Sequence, residues 1–154
     1  MKKNLIICII YLILSFSNVI ALENKIILKI DNEIITSLDI DEEIKYLSTL
    51  NPSIRSLSKD RLRLIGKNSL IKKKIKKKEI LKYVKEINVD QNFLKELIRD
   101  MYIKLNFETE DEFIKYLKLN QVNMEEIENK FSIEAIWNQL IYSKFSSQVK
   151  INKK

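Results

Sequence analysis

A single glycine and a single proline in 154 residues constrain this fold more than any other feature of the sequence. Primed turns, barrel corners and bulged edges all draw on glycine for φ > 0, and proline sets many of the remaining turns. Gly66 and Pro52 alone cannot supply a β architecture, so the chain reads as long helices joined by short polar connections. The expected fold is mainly α, a multi-helix domain of about five helices behind one short N-terminal β-hairpin.

The hairpin lies at the head of residues 25–47, KIILKIDNEIITSLDIDEEIKYL. Ile26, Leu28 and Ile30 alternate with Lys25, Ile27 and Lys29, the period of two expected of a strand with one buried face. Asp31 and Asn32 form the turn, because their short polar side chains tolerate φ > 0 better than most. A two-residue loop there sets Ile30 opposite Glu33 and Leu28 opposite Ile35, which collects Ile26, Leu28, Ile30 and Ile35 on one face. Thr36 and Asp39 then stand at capping-box spacing, so the strand ends where a helix begins.

That first helix is expected over 37–50, with Leu38, Ile44 and Leu47 among its apolar positions and Asn51-Pro52 ending it. Residues 53–58 read as loop. A long helical pattern follows over 59–87, carried by Leu62, Ile65, Leu70, Ile71, Ile75, Leu81 and Val84, with Gly66 as the place for a kink. Asp90 caps a third helix with the stripe Phe93, Leu94, Leu97, Ile98, Met101, Tyr102 and Leu105. Thr109 with Glu112 opens a fourth that carries Phe113, Ile114, Tyr116, Leu117 and Leu119. Asn123 with Glu126 opens a fifth, where Met124, Ile127, Phe131, Ile136, Trp137, Leu140, Ile141 and Phe145 recur at helical spacing. Residues 149–151 are either a short strand against the hairpin or a linker.

Ahead of the hairpin, Lys2 and Lys3 precede an apolar run from Leu5 to Phe16, and Val19 and Ala21 sit three and one before a cut. These are the regions of a cleavable signal peptide over residues 1–21, with the mature domain over 22–154 and a periplasmic destination. The alternative is an uncleaved inner-membrane anchor, since residues 5–22 approach the ~18 apolar residues that begin to suffice for a span. Cleavage would remove Lys2 and Lys3 and no acidic residue, lowering the net charge from +7 to +5. It would also remove Cys8, the only cysteine.

The chemistry-bearing residues are sparse. There is no histidine, and without Cys8 no thiol, so Ser-His and Cys-His pairs, histidine metal ligands and zinc thiolates are excluded. The acidic runs Asp39, Asp41, Glu42, Glu43 and Glu108, Glu110, Asp111, Glu112 lack the glycine turn and alternating oxygens of a calcium loop, and suit the first turns of helices. No glycine-rich phosphate loop is present. The expectation is a non-enzymatic protein with no cofactor and no metal. Lys72–Lys74 and Lys76–Lys78 invite an anionic polymer or lipid surface as partner, against the plainer reading of a solvated helix face.

The run IILKIDNEIITSLDIDEEIKYL resembles the opening of the SurA-type periplasmic chaperone domain, a family that includes the chaperone parts of PrsA and, more distantly, trigger factor. The residues that carry the resemblance are Ile30, Asn32, Ile34, Ile35, Thr36, Asp39 and Ile40. SLIKKKIKKKEILKYVKEINV resembles the family's long second helix, and VDQNFLKELIRDM with TEDEFIKYLKLNQVNMEEIENKF its next three. The resemblance implies a holdase that binds unfolded outer-membrane or secreted polypeptides through apolar surface; the secreted compartment itself argues against nucleic acid as partner and leaves at most weak contact with anionic membrane. In that family prolyl isomerase activity resides in parvulin domains, and none is legible here. Met101, Tyr102, Phe107, Phe113, Tyr116, Leu117 and Met124 are the candidate client-binding residues, being flexible or aromatic and gathered at the junctions of the last three helices. Their helical spacing suits a core equally well. A signal-anchored interaction protein and a basic module for anionic surfaces stay open as alternatives.

Overall fold

The structure, a computed structural model, describes residues 24–146, so the signal segment and the strand or linker at 149–151 lie outside the described residues. The described chain is mainly helical: β1 (Ile26–Ile30) and β2 (Glu33–Thr36) form an antiparallel hairpin, followed by α1 (Ser37–Leu50), α2 (Lys59–Ile80), α3 (Gln91–Lys104), α4 (Glu110–Leu119) and α5 (Met124–Phe145). One 3-10 turn, Pro52–Ser56, links α1 to α2.

The hairpin keeps the register its sequence demands, Ile30 opposite Glu33 and Leu28 opposite Ile35. It breaks at one point: Ile26 pairs with Thr36, so Ile27 is an extra residue and the strand bulges. A one-residue slip exchanges faces, which corrects the expectation for Ile26; it is 67% exposed while Ile35 is fully buried. At the turn Asp31 alone takes positive φ, at 51°. The helix start is as expected: the Thr36 hydroxyl accepts from the Asp39 N–H at 3.2 Å, and the Asp39 carboxylate accepts from the Thr36 N–H at 2.7 Å.

Two apolar clusters hold the helices together. The larger joins Tyr46, Leu94, Ile98, Phe113, Leu117, Val122 and Ile127; the smaller joins Ile35, Ile40 and Leu70 beneath the hairpin. Burying a side chain the size of Phe113 stabilises the fold by roughly 1.5–3 kcal/mol. Helix α1 serves both clusters, because Ile40, Glu43, Tyr46 and Thr49 follow at three-residue steps along its buried face. Leu38, expected inward, stands exposed at the N-terminal turn, off that stripe.

Gly66 does not mark a kink, since α2 runs unbroken through it. A Cβ there would meet Ile44 Cγ1 at 3.0 Å and the Ile40 carbonyl oxygen at 3.1 Å, so the glycine lets α1 and α2 approach closely. Helix α2 ends at Ile80, seven residues before the expected end. Leu81 and Val84, read as part of its stripe, are exposed in the turns that follow. Among the described residues, no helix is long and apolar enough to cross a membrane.

Candidate functional site

The seven residues expected to bind clients are brought together by the fold, around Phe113. Its ring lies 6.2 Å from that of Tyr102 and 5.9 Å from that of Phe107, and Phe107 lies 4.9 Å from Tyr116, all tilted. The Tyr116 hydroxyl donates to the Thr49 carbonyl at 2.9 Å, fastening α4 to α1. Phe113 and Leu117 are fully buried, and Met101, Tyr102, Phe107, Tyr116 and Met124 are half-buried against the core. In this conformation the group is mostly interior packing. Its accessible part is a depression of about 410 Å³ at the α4–α5 junction, where Ile114, Leu117 and Met124 meet Lys118 and Gln121.

One stretch of open apolar surface runs along the second half of α5. Only Ile127, Lys130 and Ile133 of this helix are buried, so Ile141 and Phe145, expected inward, are exposed instead. On one side, α5 and the start of α3 form a groove of about 600 Å³ lined by Val89, Phe93, Leu97, Phe131, Ile136 and Tyr142. On the other side, a groove of about 220 Å³ runs between α5 and the end of α2, lined by Ile80, Tyr83, Val84, Ile136 and Leu140. Ile136 and Gln139 belong to both, so α5 is a ridge with an apolar trough on each flank. Tyr142, 74% exposed, and Phe93, 46% exposed, stand at its edges. The nearby charges are already paired: Glu134 accepts from Lys76 at 2.6 Å, and the Lys144 ammonium sits 3.9 Å from the centre of the Tyr83 ring.

The lysine run on α2 is distributed around the helix, and three of its members reach carboxylates on other elements. Lys74 pairs with Glu33 and Lys78 with Asp31, both on the hairpin, while Lys76 pairs with Glu134 on α5. The hydrogen bond from Lys74 is the main cause that holds the Glu33 carboxyl below its ordinary range. These three lysines act as tethers, half of the run.

A charged cluster lies between the two apolar clusters, and it corrects the first-turn reading of Glu43, which sits past the first turn of α1 on its buried face. Glu43 and Lys130 are both buried, and the Lys130 ammonium donates to Glu43 at 2.7 Å and lies 2.8 Å from Glu126. It also stands 3.3 Å from the centre of the Tyr46 ring, and Ser69 donates its hydroxyl to the second Glu43 oxygen at 2.7 Å. Burial, reinforced by Glu43 and Glu126, pushes the Tyr46 phenol well above its ordinary range. Burial, then the like charge of Lys130, pulls the Lys73 ammonium below its ordinary range. The signal was present in the sequence: Glu43 interrupts Ile40 and Tyr46, and Lys130 interrupts Ile127 and Ile133, each at the spacing of a buried stripe. Among the described residues no three acidic, histidine or cysteine side chains gather as a metal site.

The fold and surface together define a small helical domain with an N-terminal hairpin, two apolar clusters and, among the described residues, an apolar ridge open to solvent. Comparison with protein-family models, with curated proteins and with solved structures gives no match for this chain.

Proposed function

We propose that this chain is a periplasmic holdase that shields unfolded outer-membrane or secreted polypeptides from aggregation and has no catalytic activity of its own. The observation that carries the reading is the pair of apolar troughs flanking α5, open to solvent and edged by Tyr83, Phe93 and Tyr142. Extended apolar segments of an unfolded chain fit shallow troughs of this kind. The edging aromatics supply large contact area at low entropy cost. Charges already paired near the troughs make no demand on a client's sequence, as a promiscuous binder requires. The signal-like start of the sequence and its resemblance to SurA-type chaperones support the compartment and the client class.

The test is light scattering of a urea-unfolded outer-membrane barrel protein diluted into buffer with and without the purified chain, at low and high salt. Apolar capture predicts suppression of scattering that persists at high salt. Binding through lysines predicts suppression that collapses steeply as salt rises. No suppression at several-fold excess of the chain would exclude the holdase reading.

A further inference from the structure

Helix α2 carries apolar side chains on two of its sides. One side meets α1, the hairpin and α5 through Gly66, Leu70 and Ile80. On the other, Leu64, Asn68, Ile71 and Ile75 follow at steps of four, three and four residues. Leu64 and Ile75 are 53% and 52% exposed, Asn68 is exposed and Ile71 half-buried. These are the steps between a and d positions of a heptad, and they make a seam narrower than the stripe of a core-facing helix. From Leu64 to Ile75 the seam is roughly 16 Å long. Arg61 and Lys78 continue the steps outward and close it with charge at each end.

Charge decides what can lie on this seam. The positions beside it are Ile65, Lys67, Lys72 and Lys74, with no carboxylate among them. Lys74 is held by Glu33, while Lys67 and Lys72 pair with no carboxylate among the described residues. The nearest acidic residues along the helix are Asp60, in its first turn, and Glu79, held by Lys82. A second copy of the chain would set these lysines against their own kind, which an interhelical seam penalises.

We propose that this seam pairs with an acidic amphipathic helix of another protein, whose apolar a and d side chains pack between Leu64, Ile71 and Ile75 and whose carboxylates lie along Lys67 and Lys72. Asn68 occupies an a position inside the seam. A partner Asn there satisfies its amide, whereas an apolar residue leaves the amide unpaired in the interface, so Asn68 sets the register. None of the seam residues lines either α5 trough, and the proposal does not rest on the holdase reading.

The test is fluorescence anisotropy of a labelled peptide of about three heptads, long enough to hold a helix in water, titrated with the purified chain. The probe carries Ile at a, Leu at d, Asn at one a position and Glu at every e and g; its control replaces each Glu by Lys. The expected result is micromolar binding of the acidic peptide, about tenfold tighter than that of the basic one, and lost in Leu64→Ser with Ile75→Ser. In Asn68→Ile the preference should reverse, so that a probe with Ile in place of its Asn binds more tightly than the Asn probe. Equal binding of the acidic and basic peptides would overturn the proposal, and this comparison on the wild type decides it even if a variant fails to fold. Undiminished binding in the serine variant would overturn it as well, and an unchanged preference in Asn68→Ile would overturn the register assignment. Absent peptide binding, sedimentation onto phosphatidylglycerol vesicles that the serine variant loses would assign the seam to a lipid surface, and a dimer that the same variant dissolves would assign it to a second copy. Either result overturns the acidic helix.

Discussion

At the scale of single residues, the most consequential pair is Glu43 and Lys130, separated by 87 positions in sequence and buried together between α1 and α5. Breaking a buried pair leaves an uncompensated charge and costs about 3–5 kcal/mol, while replacing both partners by apolar groups of similar size is often close to neutral. Lys130→Met alone should therefore destabilise the chain by about 3 kcal/mol or more, and Glu43→Leu alone similarly. The double variant should recover most of that loss in a urea-denaturation cycle. Simple additivity of the two losses would show that the pair is not coupled.

Tyr46, against the same ammonium, carries a pH prediction. Its phenol titrates higher in the folded state than its ordinary value of 10.0. The unfolded chain then loses that proton first, and the stability contributed by the neutral phenol is complete below pH 10 and declines above it. At pH 11 the decline should reach about 1.4 kcal/mol, the worth of one pH unit. Tyr46→Phe removes it, so wild type should lose about 1.4 kcal/mol of stability relative to the variant as pH rises from 9 to 11. A constant difference over that range would place the phenol in an ordinary environment.

At the scale of elements, the shortage of glycine reappears at the helix ends. Helices α3 and α4 both close in Schellman motifs: Phe107 N–H donates to Tyr102 and Asn106 N–H to Ile103, then Val122 N–H to Leu117 and Gln121 N–H to Lys118. Each motif needs one residue at positive φ, a position usually taken by glycine. Here Asn106 sits at 64° and Gln121 at 56°. Glutamine gains nothing locally from that conformation, which costs about 1–2 kcal/mol for an L-residue. Gln121→Gly should thus raise the midpoint of thermal unfolding, by about 1 kcal/mol of stability after the entropy gained by the unfolded chain. A lowered midpoint would mean that the hydrogen bond from Lys45 to Gln121, 3.1 Å long at the surface, outweighs the backbone strain.

The helix starts were legible because caps are local. Thr36, Asp90, Thr109 and Asn123 all cap the helices they were expected to cap. At Asn123 the partner differs: its side chain accepts from the Glu125 N–H, and Glu126 turns instead to Lys130. The end of α2 was not legible, because Leu81 and Val84 continue the apolar period past the point where the helix stops.

At the scale of the whole molecule, α5 carries the apolar troughs on which the holdase reading rests. Its first half is covered by neighbouring helices, while its second half carries the same kind of spacing with less to cover it. The holdase reading therefore places client contact on Phe93 and Tyr142 rather than at Phe113. Phe93→Ser with Tyr142→Ser should reduce suppression of aggregation severalfold while costing about 1–2 kcal/mol of stability, most of it from the half-buried Phe93 ring. Phe113→Ala should cost about 3–5 kcal/mol through the cavity it leaves. Undiminished suppression in the double serine variant would move the client surface off α5.

The sequence by itself determined the fold class, the hairpin register near its turn, the helix starts and the absence of histidine and thiol chemistry from residues 22–154. Each of these rests on interactions within about four residues or on composition, so no knowledge of distant neighbours was needed. Only the tertiary structure decided that Glu43 meets Lys130, that Gly66 is a point of close approach, and that Lys74 and Lys78 tether the hairpin. It also decided that Phe113 and Leu117 lie inside while Phe93 and Tyr142 face water. Periodicity states that a helix has an apolar side, but what covers that side depends on where other helices end, and that is fixed by packing across the whole chain.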